Sequence, residues 1–385
     1  MLFSRQTEKD MIERFYDNLE KFLKPNKVLM IYGPRQVGKT TLIKEYLKRT
    51  TLKYKFDSGD NLRIQELLSS LDFQKILSYA EGYELLVIDE AQNIPNIGKA
   101  LKILVDETKG IKIIITGSSS FNISQNTGEP LTGRKKTLTL YPISQFELRK
   151  KHNKYDLQEK LEEFLIYGSY PEVVTAKNIK TKIEILNELA DSYLLKDILS
   201  FFSLKKPHVI LNLLKLLAFQ IGSQVSLNEL ALNLKVDIKT VINYLDILEK
   251  AFVIKKITAF SRNLRNEITK SCKYYFLDTG IRNAVINQFN KIDLRNDIGQ
   301  LWENFLFIER TKKLSYKGLH TDICFWRTYA GNEIDFVEEK DGKINAFEAK
   351  WNIKTSAHAP KEWRVNYTST VFKVIHKENY LDFVS

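Results

Sequence analysis

The chain has 385 residues, 43% of them apolar and 28% charged, with a formal net charge of +12. This is enough for two or three domains with sizeable cores, and no apolar run approaches the roughly 18 residues a membrane-spanning helix needs. Two distant cysteines, Cys272 and Cys324, exclude a disulfide framework and a cysteine-based zinc site, and five histidines form no ligand-spaced cluster. The first ten residues are too charged for a secretory signal, so a cytoplasmic protein with no membrane partner is expected. The positive charge suits a polyanionic partner, but it divides evenly between the first 150 residues and the rest.

Residues 1–24 read as an amphipathic helix. An apolar run at 28–32 reads as a strand and leads into Gly33-Pro34-Arg35-Gln36-Val37-Gly38-Lys39-Thr40-Thr41, followed by helix. This is the phosphate-binding loop pattern. The glycines let backbone N–H groups curl around phosphate, Lys39 reaches the β- and γ-phosphates of ATP, and the Thr40 hydroxyl ligates Mg²⁺. A second strand, 85–88, ends in Asp89-Glu90. Asp89 is expected to hold Mg²⁺ through water and Glu90 to orient or deprotonate the attacking water. A third strand, 111–117, delivers Ser118 as a candidate γ-phosphate sensor, with a plain serine-rich loop entry as the alternative. Arg134 is read as part of a solvated basic turn in preference to an arginine finger.

Alternation of strands and helices to about 141 predicts an α/β parallel sheet, and residues 143–206 predict a small helical lid with a hinge near Lys205-Lys206-Pro207. A helix over 208–222, a short helix opened by Ser226 and Glu229, and a longer one capped by Asp237 follow in helix-turn-helix order. In the last helix Ile238, Val241, Ile242, Leu245 and Leu248 are expected inside, with Lys239, Thr240, Asn243 and Tyr244 outside. Two strands near 253–260 and 273–277 complete a wing. Residues 251–273 hold six Lys or Arg against one acid, a candidate phosphate-contacting surface, with protein contact as the other use of such a module.

Near the C-terminus, a helix carrying Glu303 precedes strands at 323–328, 333–337 and 345–351, with a hairpin turn at Asp341-Gly342. Glu348 and Lys350 share a strand face, and Asp335 lies on the neighbouring strand. This is the layout of a metal-dependent phosphodiesterase site. Asp335 and Glu348 would bind Mg²⁺, Glu303 would add a ligand, and Lys350 would position water or neutralise developing charge. A nuclease fold that has lost activity is the alternative.

The chain resembles bacterial and archaeal ATPases that join an AAA-type domain to a C-terminal DUF4143 region. The resemblance is carried by residues 33–40, 86–92, 115–120, 131–134, 167–172, 274–280, 325–328 and 333–336. It implies ATP binding, a winged helix and a restriction-endonuclease-like fold in the second half. Where many relatives have Gly-Gly this chain has Gly168-Ser169, a difference expected to be neutral. The expected architecture is therefore α/β: a P-loop ATPase core (1–142), the lid (143–206), a winged helix-turn-helix (207–285) and an α/β restriction-endonuclease-like domain (286–385). Two functions fit. One is an ATP-hydrolysing protein that binds DNA and cleaves it, oligomeric through its ATPase domain. The other is a nucleotide-switched regulator with an inert nuclease-like fold. An unfoldase is disfavoured, since no substrate-gripping aromatic-glycine loop is evident.

Overall fold

The computed structural model of the protein describes residues 12–118, 131–191, 207–261, 272–328, 330–352 and 358–385. The chain divides into two compact units, one formed by Glu13–Tyr141 and the other containing Pro142–Ser385.

In the first unit, β1 (Lys27–Tyr32), β2 (Tyr54–Ser58), β3 (Leu85–Asp89), β4 (Lys112–Gly117) and β5 (Lys135–Thr139) build one parallel sheet in the order β2-β3-β4-β1-β5. The apolar runs read from the sequence are strands buried on both faces. Val28, Met30, Leu86, Ile88, Ile113 and Ile115 pack with Leu68, Ile76, Leu101 and Leu104, which lie on α2 (Leu62–Ser69), α3 (Phe73–Ala80) and α4 (Ile97–Glu107). The intervening Leu29, Ile31, Val87 and Ile114 are equally buried. The carboxyl ends of β1, β3 and β4 are adjacent in this order, so the loops that follow them gather at one edge of the sheet. The expected amphipathic helix over 1–24 is corrected where it is described. Residues 12–24 are turns and a single 3₁₀ turn, Leu19–Phe22. Arg14 is buried there, spent on the carbonyls of Val37 and Tyr141, both at 2.5 Å.

The second unit opens with short helices α5 (Gln145–Leu148), α6 (Lys154–Glu159), α7 (Leu161–Tyr167), α8 (Pro171–Thr175) and α9 (Ile179–Glu188). Then come α10 (Pro207–Phe219), α11 (Leu227–Leu234), α12 (Ile238–Lys250) and the antiparallel pair β6 (Ile254–Thr258) and β7 (Cys272–Phe276). Next are α13 (Thr279–Val285), α14 (Ile298–Tyr316), and β8 (Ile323–Arg327), β9 (Glu333–Lys340), β10 (Lys343–Ala349) and β11 (Thr370–Ile375), in the sheet order β11-β10-β9-β8. Helices α15 (Lys361–Asn366) and α16 (Tyr380–Val384) close the chain. Among the described residues no helix is long and apolar enough to cross a membrane.

Three expectations change. The helices expected as a lid pack within the second unit, α7 against α13 and α14, because the apolar face of α7 finds its partners there. Residues 192–206, including most of the expected hinge, lie outside the described residues. On α12, Val241, Leu245 and Leu248 are buried as expected, but Ile238 and Ile242 are exposed and Tyr244 is buried. The buried stripe is rotated toward position 244, since a helix 3.6 residues per turn brings 241, 244, 245 and 248 to one face. Asp237 does cap this helix, accepting from the Thr240 N–H at 2.8 Å. Finally, Lys273 is no phosphate-contacting residue. It is buried and ion-paired, while Lys255 pairs with Glu249 at 2.9 Å. Arg262, Arg265 and Lys270 lie outside the described residues.

The segments 167–172 and 274–280 prove to be two halves of one buried contact. The backbone passes Asp278 at Gly168 (φ 72°), where a Cβ would lie 2.0 Å from Asp278 Oδ1. Asp278 Oδ2 accepts from the Ser169 N–H (2.7 Å) and hydroxyl (3.1 Å), and Oδ1 caps α13 through the Ile281 N–H (3.1 Å). A Cβ on Gly280 would meet the Tyr167 carbonyl oxygen at 2.1 Å. Ser169 is therefore not neutral. Its hydroxyl also accepts from Lys312 of α14 at 3.0 Å, and Lys312 pairs with Glu309 at 2.8 Å.

All four tryptophans (302, 326, 351 and 363) belong to the second unit, so indole fluorescence follows its unfolding alone. In urea titrations read this way, Gly280→Ala is expected to cost about 3 kcal/mol through overpacking against backbone. Ser169→Gly is expected to cost about 1–2 kcal/mol through the lost hydrogen bonds.

Candidate functional site

The loop between β1 and α1 (Lys39–Leu47) curls as its sequence requires. Gly33, Gln36 and Gly38 take φ of 150°, 57° and 93°. Gly33 must lack a side chain, because its Cβ would sit 1.9 Å from the Leu140 carbonyl oxygen. Gly38 caps α1, Val37 is buried, and Thr41 is exposed on the first turn. Lys39 is buried and donates to the carbonyls of Gly33 (2.9 Å) and Pro34 (2.8 Å). Burial pulls its pKa down to about 8, opposed by the carboxylates of Glu90 and Asp89 and helped by Arg35.

Asp89, buried at the end of β3, is held from two sides. Its Oδ2 accepts from the Thr40 hydroxyl at 2.7 Å and its Oδ1 from the Thr116 hydroxyl. Thr116 in turn accepts from the Glu90 N–H at 2.9 Å. Glu90 sits in the left-handed region (φ 49°) at the head of a 3₁₀ turn, Ala91–Asn93, and its Oε2 accepts from the Gln92 amide. Ser118 is buried at the tip of β4. Arg134 pairs with Asp106 at 2.7 Å in a partly exposed setting, in keeping with a basic surface turn. The Thr40 hydroxyl and Asp89 carboxylate are neighbouring hard oxygens, a pair that fits Mg²⁺. Such an ion would neutralise phosphate charge there. Thr116, Gln92 and Arg14 were not foreseen. Gln92 and Thr116 lie inside segments that carry the family resemblance, but no local signal assigns them these roles, and Arg14 is one basic residue among several ahead of β1.

In the second unit the sheet brings together what the spacing suggested. In the β9–β10 register, Phe336 pairs with Phe347, so the next step sets Asp335 opposite Glu348. Asp335 Oδ2 accepts from the Ala349 N–H at 2.8 Å, and Lys350 pairs with Glu348 at 2.7 Å. Burial, then the charges of Glu303 and Glu348, raise Asp335 well above the usual carboxylate range. For Lys350, burial works downward but Glu348 more than offsets it, leaving the pKa raised.

Glu303 departs from its expected role. From α14 its Oε1 accepts from Lys273 Nζ (2.9 Å) and from the Tyr275 hydroxyl, both on β7. Lys273 also pairs with Glu333, which takes Arg327 at 3.1 Å. Glu303 Oε1 is thus already engaged by an ammonium and a phenol hydroxyl. Burial raises Glu303, with Lys273 and Tyr275 opposing. Among the described residues no three His, Cys, Asp or Glu side chains gather as a metal-holding group. Asp335 and Glu348 remain a two-carboxylate set that suits Mg²⁺ only if phosphate and water supply the other ligands. The pairing of Lys273 and Tyr275 with Glu303 escaped the sequence reading because that partner lies 30 and 28 residues away on another element.

Residues 25–149 match the model of an AAA domain, and residues 298–379 match a domain of unknown function, DUF4143. The chain joins an AAA domain to a DUF4143 region. Between them, residues 158–292 match another domain of unknown function, DUF8612, which spans both halves of the contact around Asp278. The first unit is accordingly an ATP-binding domain of AAA type. An uncharacterized protein of Methanocaldococcus jannaschii is 27% identical over 343 residues, covering 83% of this chain and 74% of that one. An uncharacterized ATP-binding protein of Pyrococcus horikoshii is 48% identical over 54 residues, 14% of this chain and 15% of that one. Among solved structures, a signal-transduction ATPase with numerous domains from Pyrococcus horikoshii is similar at a TM-score of 0.29 and 14% identity, covering 81% of this chain and 48% of that one.

With Lys39 at about 8, ATP phosphates favour its charged form, so binding takes up a proton above that pH and almost none near pH 6. Calorimetry in buffers of different ionisation enthalpy reads this, and Lys39→Ala removes it along with most of the affinity. For Asp335 the sign is opposite to that of a salt-bridged acid. The folded state resists ionisation, so stability from this group is lost as pH rises above about 4. Asp335→Asn is expected to raise the urea midpoint at pH 7–8, with the gain vanishing near pH 4.

Proposed function

We propose that the protein hydrolyses ATP and couples the nucleotide cycle to phosphodiester cleavage in nucleic acid, with DNA as the favoured substrate. The observation that carries the nuclease half is the Asp335, Glu348 and Lys350 constellation on adjacent strands. Asp335 and Glu348 would hold Mg²⁺, which polarises the scissile phosphate, while Lys350 offers a partly exposed ammonium to the charge that develops. For the ATPase half, Lys39 and Thr40 would hold the phosphates and Mg²⁺, Asp89 would hold the ion through water, Ser118 would sense the γ-phosphate, and Glu90 would accept the proton of the attacking water. Helices α10 to α12 with the β6–β7 pair are read as a winged helix that places duplex DNA, and assembly through the ATPase domain remains part of the proposal.

The second reading is a nucleotide-switched regulator. One feature favours it: α12, the helix that would enter a DNA groove, exposes Ile238 and Ile242, apolar side chains better suited to a protein partner than to base edges.

The test is nicking of supercoiled plasmid in Mg²⁺ or Mn²⁺, with and without ATP, by the full chain and by Lys350→Ala. Cutting lost in the variant by about a hundredfold supports the nuclease, and an ATP requirement ties the two activities together. If neither protein cuts any DNA or RNA form while ATP is still turned over, the regulator reading replaces it.

A further inference from the structure

Gln92 has no place in the roles assigned so far, yet it is the side chain in contact with Glu90. Its amide donates to Glu90 Oε2. Its own carbonyl oxygen, Oε1, is buried and finds no hydrogen-bond partner among the described residues. Such an orphaned acceptor ordinarily costs about 1–3 kcal/mol, so a glutamine held in this way calls for a reason. Packing does not supply one, because leucine has nearly the same volume and no unmet acceptor.

The surroundings supply it. Glu90 is fixed at three points: its left-handed backbone, the N–H it gives to Thr116, and the amide of Gln92. Gly59, at the end of β2, closes over the same turn, since a Cβ there would lie 2.3 Å from the Glu90 carbonyl oxygen. Asn93 is drawn to Asp60 at 2.6 Å, which fixes the far end of the 3₁₀ turn. The carboxylate of Glu90 is also near enough to Lys39 to be the leading opposition to its loss of charge. Glu90 and Gln92 are therefore held together as one rigid pair, with the Glu90 carboxylate within electrostatic reach of Lys39.

We propose that Gln92 is a water-positioning residue: its Oε1 accepts one hydrogen of the attacking water while Glu90 accepts the other. This rests on the reading of the first unit as an ATP hydrolase. The water oxygen forms a bond to the γ-phosphorus, the bond from that phosphorus to the β,γ-bridging oxygen breaks, the proton passes to Glu90, and ADP and inorganic phosphate leave. One acceptor alone leaves the water free to rotate. Two acceptors on a single rigid turn fix both its hydrogens and aim its lone pair, a contribution to orientation that appears in turnover and not in binding.

The experiment compares ATP turnover, ADP affinity and thermal stability for the full-length protein, Lys39→Ala and Gln92→Leu. The expected result for Gln92→Leu is a kcat lowered about a hundredfold, KM and ADP affinity within twofold, and a melting temperature unchanged or raised, because the buried unmet acceptor is gone. Gln92→Ala gives the same split if leucine is not accommodated. A kcat within twofold of the unaltered protein overturns the assignment, as does a loss of kcat that tracks a lowered melting temperature or lost ADP binding. Turnover by the unaltered protein no greater than that of Lys39→Ala overturns the hydrolase reading and this role with it.

Discussion

A buried carboxylate that a glycine backbone passes closely ties the turn after α7 to the start of α13 in the second unit. Asp278 accepts from Ser169 twice and caps α13, and it does so at a distance that no side chain on Gly168 would allow. From Ser169 the network continues to Lys312 and Glu309 on α14. The same helix carries Glu303, which fixes Lys273 and Tyr275 of β7, and Asn304, which takes both the N–H and the carbonyl of Phe276 at 2.8 Å. One helix, α14, thus meets both the Asp278 network and β7, and through Glu303 it contributes to the electrostatic setting of Asp335. Burial makes each bond in this chain strong and makes each missing partner costly.

The first unit uses the same economy on a smaller scale. Asp89 joins three elements through two hydroxyls, Thr40 on α1 and Thr116 on β4. A strand-end carboxylate without those donors would take whatever rotamer solvent favoured. With them, its oxygens are set before nucleotide arrives, and the Glu90 backbone is set by the same threonine.

The sequence made some of this legible and left the rest hidden for identifiable reasons. The phosphate loop, Asp89-Glu90 and the Asp335, Glu348 and Lys350 trio could be read because local spacing fixes their geometry: a loop between strand and helix, a strand end, and alternate residues on paired strands. Thr116 could not, since its role depends on β4 lying beside β3, and strand order is not written locally. Lys273 was misread for a related reason. Counting basic residues over 251–273 cannot register Glu303 and Glu333, which cancel that charge from elsewhere in the fold. The error on α12 was one of phase. Ile238 and Ile242 fit a helical stripe as well as Tyr244 does, and tertiary packing chose the tyrosine. Over residues 12–24 the helical reading failed because a buried Arg14 serving two carbonyls looks like an ordinary amphipathic charge.

Arg14 also bears on how the chain leaves the first unit. The chain leaves that unit after Tyr141, whose carbonyl shares the Arg14 guanidinium with the carbonyl of Val37 in the phosphate loop. One residue earlier, the Leu140 N–H is bonded to Tyr32 at 2.6 Å, and the Leu140 carbonyl rests against Gly33. The residues that lead out of this unit are therefore fastened directly to the backbone of the phosphate loop, beside the β1–β5 pairing that they continue.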